Sequence, residues 1–410
     1  METFPDLVVC EYCDHVCKRP PLSRGEKAIC PRCAGTLYRA SSLDIDSWFA
    51  LTIAAAILFL IANTNPIIRV SMQGLHSETT LWQSATALAQ GAAAPIAIPT
   101  AIIIIFAPLL QIGLLLWVLL HARMGLRAPG FAHAMRGLSC MRPWSMIEVG
   151  LLGILIADIK LSSYLEVTPG IGVFAMAGLM VLLILIANRD THRLWQAFET
   201  PPLQQPTHTI PTKISPATVI GCHSCGLVCA DYHNTDHCPR CGAQLHHRRP
   251  DSIARGWAFL LAGILFYIPA NLLPVMYTSL FGSGSDSTIL RGVVEFWKSG
   301  SYGVALVIFT ASVAVPCLKF LALGLLLFTA QKRSNWAMRE RTKLYRMVEL
   351  IGYWSMLDVV VVAVVAALVR FHGLSNAEPR VGILFFGTVV ILTMLSAMSF
   401  DPRLIWDTKK

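Results

Sequence analysis

Long apolar stretches separated by polar segments dominate the chain. Eight of these stretches carry little charge, and each is close to the length of about 20 residues that a helix needs to cross a membrane. The strands of a membrane barrel would instead alternate apolar and polar residues. The pattern therefore predicts an all-α polytopic membrane protein with eight transmembrane helices. The predicted spans are 47–67, 95–121, 144–166, 170–188, 255–276, 302–329, 350–371 and 381–399.

Composition and charge agree with this prediction. Of the 410 residues, 55% are hydrophobic and 14% are charged, whereas soluble domains carry about 25% charged residues. An ordinary cytosolic enzyme, a disordered chain and a secreted disulfide scaffold are therefore excluded. The formal charge is +9, and 26 of the 33 Lys and Arg residues share one side of the predicted topology. Because basic residues favour the cytoplasmic side, we expect both termini to be cytoplasmic and no nucleic-acid partner.

Short motifs recur at a nearly constant offset along the chain. The sequence Cys-Pro-Arg-Cys at 30–33 returns at 238–241, an offset of 208, and Trp-Ser-Met-Ile-Glu at 144–148 returns as Trp-Ser-Met-Leu-Asp at 354–358. We therefore predict two parallel repeats of four helices, each preceded by a cysteine-rich module. The predicted domains are an N-terminal zinc ribbon at 1–46, a first membrane repeat at 47–199, a Pro-rich linker at 200–216, a second zinc ribbon at 217–250 and a second membrane repeat at 251–410.

Eight of the twelve cysteines form two modules of paired C-x2-C motifs. Sixteen residues separate the pairs of the first module and twelve separate those of the second. This spacing is typical of a tetrahedral four-cysteine zinc site, so we predict two structural zinc ions. The predicted ligands are Cys10, Cys13, Cys30, Cys33, Cys222, Cys225, Cys238 and Cys241. Disulfides and a redox C-x2-C motif compete with zinc, but a cytoplasmic location keeps thiols reduced. A site closed by four cysteines leaves no open position for substrate, so we expect no enzyme activity there.

Polar residues within the predicted spans are candidates for a transport pocket. Lys319 lies three residues after Pro316, and the equivalent Gln111 lies three residues after Pro108. A lysine near the membrane centre costs about 2.5–3.5 kcal/mol on insertion scales, so it should face a cavity or partner unless it snorkels to the interface. Asp158 and Lys160 are two further candidates in the third span, although Lys160 is also close enough to its outer end to snorkel.

Several motifs together resemble one known family. The most specific are the paired cysteine modules, Pro-Ala-Asn-Leu-Leu-Pro at 269–274, Gly-x-Trp-Ser-Met-Leu-Asp at 352–358, and Ser-Ala-Met-Ser-Phe-Asp-Pro-Arg-Leu-x-Trp-Asp at 396–407. In these motifs the chain resembles the paraquat-inducible protein A family over nearly its whole length. The resemblance implies an inner-membrane protein of a Gram-negative envelope that passes lipids between that membrane and an MCE-domain protein forming a periplasmic tunnel.

The same resemblance implies roles for particular residues. Lys319 and Lys160 fall on polar positions of the family's membrane pocket. The acid that follows the second of these lysines in the family is Ser163 here, so Asp158 is the candidate substitute.

Two other functions compete with lipid transport. The chain could be a membrane redox protein that uses its C-x2-C pairs, or a membrane scaffold whose zinc ribbons bind cytosolic proteins. It contains no Walker P-loop, which argues against ATP hydrolysis through such a site.

Overall fold

The computed structural model describes most of the chain. The described residues are 3–20, 22–23, 25–39, 44–72, 75–87, 89, 94–141, 144–145, 147–162, 166–187, 194–195, 219–230, 237–280, 283–300, 302–354, 360, 370–371 and 375–407. The Pro-rich linker predicted at 200–216 lies outside these residues.

Five helices among the described residues are long and apolar enough to cross a membrane, so this is a membrane protein. They are Ile45–Thr64, Ala97–Arg123, Ser252–Leu272, Ala305–Gln331 and Val381–Ser399. Two shorter apolar helices, Ile147–Ser162 and Ile171–Ala187, occupy the third and fourth predicted spans. Most of the predicted span 350–371 lies outside the described residues, so a total of eight spans stays a prediction.

The helices are numbered in chain order. They are α1 Ile45–Thr64, α2 Leu81–Ala87, α3 Ala94–Ala101, α4 Ala107–Arg123, α5 Phe131–Met141, α6 Ile147–Ser162, α7 Ile171–Ala187, α8 Ser252–Leu272, α9 Ile289–Lys298, α10 Tyr302–Phe309, α11 Val315–Gln331, α12 Met338–Trp354 and α13 Val381–Ser399. A π-helical turn, Ile102–Phe106, joins α3 to α4, and a second, Thr310–Ala314, joins α10 to α11. The 3₁₀-helix Pro402–Trp406 follows α13.

Short antiparallel strands form the ribbons and two further small sheets. In chain order they are β1 Thr3–Phe4, β2 Leu7–Val9, β3 Val16–Lys18, β4 Lys27–Ile29, β5 Thr36–Arg39, β6 Ile68–Met72, β7 Leu75–Thr79, β8 Glu166–Pro169, β9 Val219–Gly221, β10 Val228–Ala230, β11 Met276–Leu280, β12 Ser283–Ser287, β13 Arg370–Phe371 and β14 Ser375–Pro379. The two further sheets have strand orders β7-β6-β8 and β12-β11-β14-β13. They follow the first long helix of each half, so they lie at the end of the bundle opposite the ribbons.

Many elements of the first half recur in the second at the offset seen in the sequence. The hairpin β6–β7 returns as β11–β12, and α4 returns as α11, each 208 residues later. The two π-helical turns recur at the same offset. Each turn directly precedes a helix with proline at its second residue, Pro108 or Pro316. Since proline clashes with the preceding turn of a regular helix, the wider π turn accommodates it.

The first and last long helices of each half pack closely. Helix α1 lies against α7, and α8 lies against α13. A glycine permits the close approach in both pairs: a Cβ at Gly172 would lie 2.9 Å from the Pro66 carbonyl oxygen, and one at Gly382 would lie 2.6 Å from that of Pro274. A larger side chain at Gly172 or Gly382 would push α7 away from the loop after α1, or α13 away from the loop after α8.

Each ribbon contacts the opposite half of the chain, and the second ribbon also contacts the end of α13. The guanidinium of Arg32, in the first ribbon, lies 4.5 Å from the ring of Trp406 after the last helix. The equivalent Arg240, in the second ribbon, lies 5.9 Å from the ring of Trp195 after α7. Chain order alone would have placed each ribbon beside the helices that follow it. The crossed contacts instead tie the two halves together.

Backbone hydrogen bonds also join the ribbons. Strand β1, at the start of the first ribbon, pairs with β10 of the second, so that one three-stranded sheet contains strands from both ribbons. On the second half, Arg339 of α12 donates to the carbonyl oxygens of Pro31 and Arg32, and Arg346 donates to that of Ala34. The first ribbon is therefore held on α12 through its own backbone.

Candidate metal centres and membrane polar site

The first four-cysteine cluster has the geometry of a tetrahedral metal site. The Sγ atoms of Cys10, Cys13, Cys30 and Cys33 all lie within 4.8 Å of one another, and none of these residues is more than 1% exposed. The Cys10–Cys33 and Cys13–Cys30 sulfurs are each 3.5 Å apart. Four sulfurs at about 2.3 Å from a zinc ion would be about 3.8 Å apart, which lies between these short separations and the upper limit of 4.8 Å, so only small shifts are needed to bind the ion.

The second cluster repeats this arrangement. Cys222, Cys225, Cys238 and Cys241 are buried with their sulfurs within 4.8 Å of one another. The Cys222–Cys241 sulfurs are 3.5 Å apart and the Cys225–Cys238 sulfurs 3.6 Å apart. All twelve cysteines lie in described residues, and none forms a disulfide. The competing disulfide interpretation therefore has no support in the structure.

A left-handed residue follows the second cysteine of every C-x2-C pair. These four residues are Asp14, Ala34, Gly226 and Gly242, with φ between 57° and 69°. The backbone N–H of each donates to the carbonyl oxygen of the first cysteine of its pair. The resulting tight turn points both sulfurs to the same side. Glycine favours this conformation in the second ribbon, whereas the first ribbon adopts it with residues that carry a Cβ.

Each cluster favours one thiol as the thiolate, the form that binds metal, whereas the pKa of most of the neighbouring cysteines is raised. A hydrogen bond from Cys13 lowers the pKa of the Cys10 thiol to about 5. In the second cluster, hydrogen bonds from Cys222 and its neighbours lower the pKa of Cys241 well below that of an ordinary thiol. The donor set of four cysteines therefore suits a soft divalent cation such as zinc.

The fifth cysteine of each ribbon lies outside these metal-binding groups. Cys17 belongs to β3 and is half-buried, and Cys229 belongs to β10 and is fully buried. Burial raises the pKa of the Cys17 thiol to about 11. A reactive or redox thiol needs a lowered pKa, so Cys17 is better suited to packing than to electron transfer.

A buried ion pair lies where both ribbons meet the end of α13. The Asp401 side chain accepts hydrogen bonds from the Arg403 guanidinium at 3.0 Å and from the backbone N–H of Arg249 at 3.1 Å. Arg403 also donates to Nε2 of His223 at 2.9 Å, which requires that nitrogen to be unprotonated. Asp401 and Arg403 are only 1% and 3% exposed.

A second arginine bridges the first ribbon to the end of the chain. Arg248 donates to Asp407 at 2.8 Å and 2.9 Å and to Asp14 at 2.7 Å. Asp14 directly follows Cys13, so Arg248 is held next to the first four-cysteine cluster.

The buried Asp401 carboxyl has a lowered pKa. Burial opposes ionisation of Asp401, but the hydrogen bonds and charge of Arg403 outweigh this effect.

A buried polar pair lies in the membrane-spanning part of the second half. Lys319 lies near the middle of the 27-residue helix Ala305–Gln331 and is 2% exposed. Its Nζ donates to Oγ1 of Thr393 on α13 at 3.3 Å. The end of this helix is about 18 Å away at 1.5 Å per residue, so the side chain is too short to snorkel. Its burial and this hydrogen bond therefore favour a polar pocket over a snorkelling lysine.

The equivalent position of the first half has a different environment. Gln111 is also buried, and its Oε1 has no hydrogen-bond partner among the described residues. Helices α7 and α13 begin 210 residues apart, so the residue of α7 that corresponds to Thr393 is the apolar Leu183. The two halves therefore place a lysine–threonine hydrogen bond and an amide oxygen without a described partner at matching positions.

The other two candidate pocket residues, Asp158 and Lys160, lie in α6. Their side chains are outside the described part of the structure, so their place in a pocket stays a prediction.

Sequence reasoning missed three kinds of partner. Thr393 was missed because a lone threonine in an apolar helix carries no signal. Asp14 and Arg248 were missed because charged residues beside cysteine pairs are common. Asp401 and Arg403 lie in a motif that was noted only for its resemblance, although two charges directly after an apolar stretch could have marked a buried pair.

The fold and these sites define a class of protein: a multi-helix membrane protein with two buried four-cysteine clusters, each able to hold a metal ion. Comparison with known sequences identifies the family. The sequence profile described as "Paraquat-inducible protein A" matches residues 45–199 and 253–410. The chain belongs to this family.

Curated relatives match over nearly their whole length. The chain is 36% identical over 405 residues to "Intermembrane transport protein PqiA" of Escherichia coli, covering 98% of this chain and 95% of that protein. It is 28% identical over 403 residues to "Lipophilic envelope-spanning tunnel protein A" of the same species, covering 98% and 91%. A "Probable intermembrane transport protein" of Haemophilus influenzae is 29% identical over 406 residues, covering 98% and 95%. No solved structure matches the chain.

Proposed function

We propose that the chain is the inner-membrane subunit of an envelope lipid-transport system, which passes lipids between that membrane and a periplasmic tunnel formed by an MCE-domain protein. The names of the relatives, intermembrane transport protein and envelope-spanning tunnel protein, support this proposal. The observation that carries it is the buried Lys319–Thr393 pair in the middle of the membrane-spanning helices.

Burying a lysine at this depth does not stabilise the protein, so its presence indicates a functional role. Lysine at a helix centre is unfavourable by about 2.5–3.5 kcal/mol on insertion scales, and charged residues within spans usually mark substrate paths. The ammonium group has three donors, and an amine of this kind binds phosphate as a point charge. The phosphate of a phospholipid headgroup is therefore the chemistry that we assign to this site. Lys160, Asp158 and Gln111 are proposed as further members of the pocket.

The proposed architecture is two repeats of four spans, with both termini and both ribbons in the cytoplasm. Recurrence of α4, β6 and β7 at an offset of 208 supports the duplication. The excess of Lys and Arg in the predicted cytoplasmic segments supports the orientation. We propose one structural zinc ion in each ribbon and no enzyme activity, since four cysteines leave no position at the metal for substrate.

Replacing Lys319 with leucine should weaken phospholipid binding at least tenfold while leaving the protein folded. The ammonium that binds phosphate is lost, but the unfavourable burial of a charge is lost as well, so the melting temperature should stay equal or rise. Native mass spectrometry of the delipidated chain, titrated with phosphatidylglycerol, measures the binding.

Two variants control this experiment. Lys343→Ala removes a lysine whose side chain is 53% exposed in an ion pair with Glu340, and it should leave lipid binding unchanged. The double variant Lys319→Gln, Thr393→Leu copies the Gln111–Leu183 arrangement of the first half and should behave like Lys319→Leu. Full lipid binding by both Lys319 variants would contradict the assignment of this site.

The wider function is tested by purification of the tagged full chain from its native membrane after mild crosslinking. We expect an MCE-domain protein and phospholipid to be recovered with it. Recovery of neither would contradict the transport proposal. Reversible oxidation of the ribbon thiols during turnover would instead favour the redox alternative, and recovery of cytosolic proteins on the ribbons would favour the scaffold.

A further inference from the structure

Helix α9 has three distinct faces. Ile289, Val293 and Phe296 recur at helical spacing; Ile289 packs against the hydrophobic core and Phe296 is only 8% exposed. Arg291, Glu295 and Lys298 form a charged face in which Arg291 lies 3.7 Å from Glu295. The third face lies between these two.

The third face of α9 is apolar and exposed. Leu290, Val294 and Trp297 are 46%, 50% and 56% exposed and lie at spacings of four and three residues, so they form one continuous stripe. We call Leu290, Val294 and Trp297 the outer stripe. Exposing an apolar stripe to water is unfavourable. The position of the stripe relative to the membrane therefore indicates whether lipid covers it.

The outer stripe continues directly onto the lipid-facing surface of a membrane span. Only residues 299–301 separate α9 from α10, and Gly300 turns the chain with φ of 82°. Across this turn the rings of Trp297 and Tyr302 lie 5.0 Å apart, edge to face. Leu306, one turn further along the span, is 61% exposed. The stripe therefore lies at the level where the span enters the membrane.

Aromatic side chains and mixed polarity suit this level. Trp and Tyr are enriched at membrane–water interfaces because each has an apolar ring and a polar group. An amphipathic helix with cations beside its apolar face lies in the plane of the interface. Arg291 and Lys298 outnumber Glu295, so the charged face carries a net positive charge that complements phospholipid phosphates. At 208 residues before the outer stripe, only Trp82 is a large apolar residue; Thr86 and Ala89 are not.

We propose that α9 is an interfacial helix that inserts the outer stripe into the phospholipid leaflet where α10 begins, with Arg291 and Lys298 at the headgroup phosphates. This contact is a lipid-binding surface separate from Lys319, and it is built in the same half of the chain. It does not depend on a transport function or on which side of the membrane is cytoplasmic.

Site-specific photo-crosslinking tests the proposal. The photoreactive amino acid p-benzoylphenylalanine replaces Val294 in one variant of the full chain and Glu295 in another. Each variant is placed in nanodiscs of phosphatidylethanolamine and phosphatidylglycerol, irradiated and analysed by mass spectrometry. We expect at least five times more phospholipid adduct at position 294 than at 295, because neighbouring positions face lipid and water respectively.

A second position protects the test from a misfolded variant. Trp297 is already a large aromatic residue, so p-benzoylphenylalanine there should preserve the fold and give the same high lipid adduct. Equal adduct at positions 297 and 295 would overturn the proposal. A protein adduct that replaces the lipid adduct at 294 and 297 after irradiation in cells would also overturn it, since the outer stripe would then bind a protein partner.

Discussion

The double variant Cys13→Ser, Cys30→Ser is expected to hold one metal ion per chain instead of two, with the first ribbon unfolded. Structural zinc contributes about 10–16 kcal/mol to the folding of small zinc domains, and the short strands β2 to β5 have little other core. Elemental analysis of the purified protein by plasma mass spectrometry gives the metal content and shows whether the metal is zinc.

The effect should extend to the opposite half of the chain. Because the first ribbon packs on α12 and Trp406, hydrogen exchange should increase at residues 338–354 and 400–407 more than in α1. The matched control is Cys17→Ser, which changes a cysteine of the same ribbon outside the metal cluster and should keep two ions. Two ions in the double variant, or one in the control, would show that the ligands are assigned wrongly.

Asp401→Asn is expected to release both ribbons from the end of α13. Removing one partner of a buried ion pair typically costs about 3–5 kcal/mol, since Arg403 would keep its charge in a buried place. Its remaining acidic neighbour would be Asp14 of the first ribbon, 3.6 Å away. In limited proteolysis, the detergent-solubilised variant should be cut near the ribbons much faster than the unchanged protein. Thermal unfolding should begin at a lower temperature.

Asp407→Asn provides the comparison for this variant. The Asp407 side chain is 37% exposed in its pair with Arg248, so its loss should cost about 1 kcal/mol or less. If Asp401→Asn and Asp407→Asn were cleaved at the same rate as the unchanged protein, the ion pairs would have no part in holding the ribbons.

The same carboxylate predicts a dependence on pH. The pKa of Asp401 is lower in the folded protein than in an unfolded chain. Its stabilising effect is therefore complete above the ordinary Asp pKa of about 4 and is lost as the pH falls through the lowered value. Acid also protonates metal-binding thiolates. The informative quantity is thus the stability difference between the unchanged protein and Asp401→Asn, which should shrink as the pH falls.

Local sequence patterns predicted the elements well where one physical cause dominates. A run of about 20 apolar residues has few stable forms other than a spanning helix, and five long apolar helices confirm this among the described residues. Paired C-x2-C motifs have similarly few uses, and both sets of four cysteines come together as predicted. Lys319 was recognisable because a charge in an apolar stretch is rarely neutral to function.

Packing between distant elements was not predictable in the same way. The sequence carried no prediction of where the ribbons dock, and the structure shows that Arg32 contacts Trp406 and Arg240 contacts Trp195. The outer stripe was also missed. The three faces of α9 become distinct only when Ile289 and Phe296 turn toward the core.

The sequence by itself determined which segments are apolar, which cysteines can share a metal and that motifs recur at a nearly constant offset. These properties follow from composition and spacing along the chain, whereas the family was recognised from the resemblance of its motifs. Only the tertiary structure decided that Thr393 faces Lys319, that Asp401 and Arg403 join both ribbons, and that the ribbons cross between halves. Those contacts depend on how close helices from distant parts of the chain approach, and no local pattern encodes that distance.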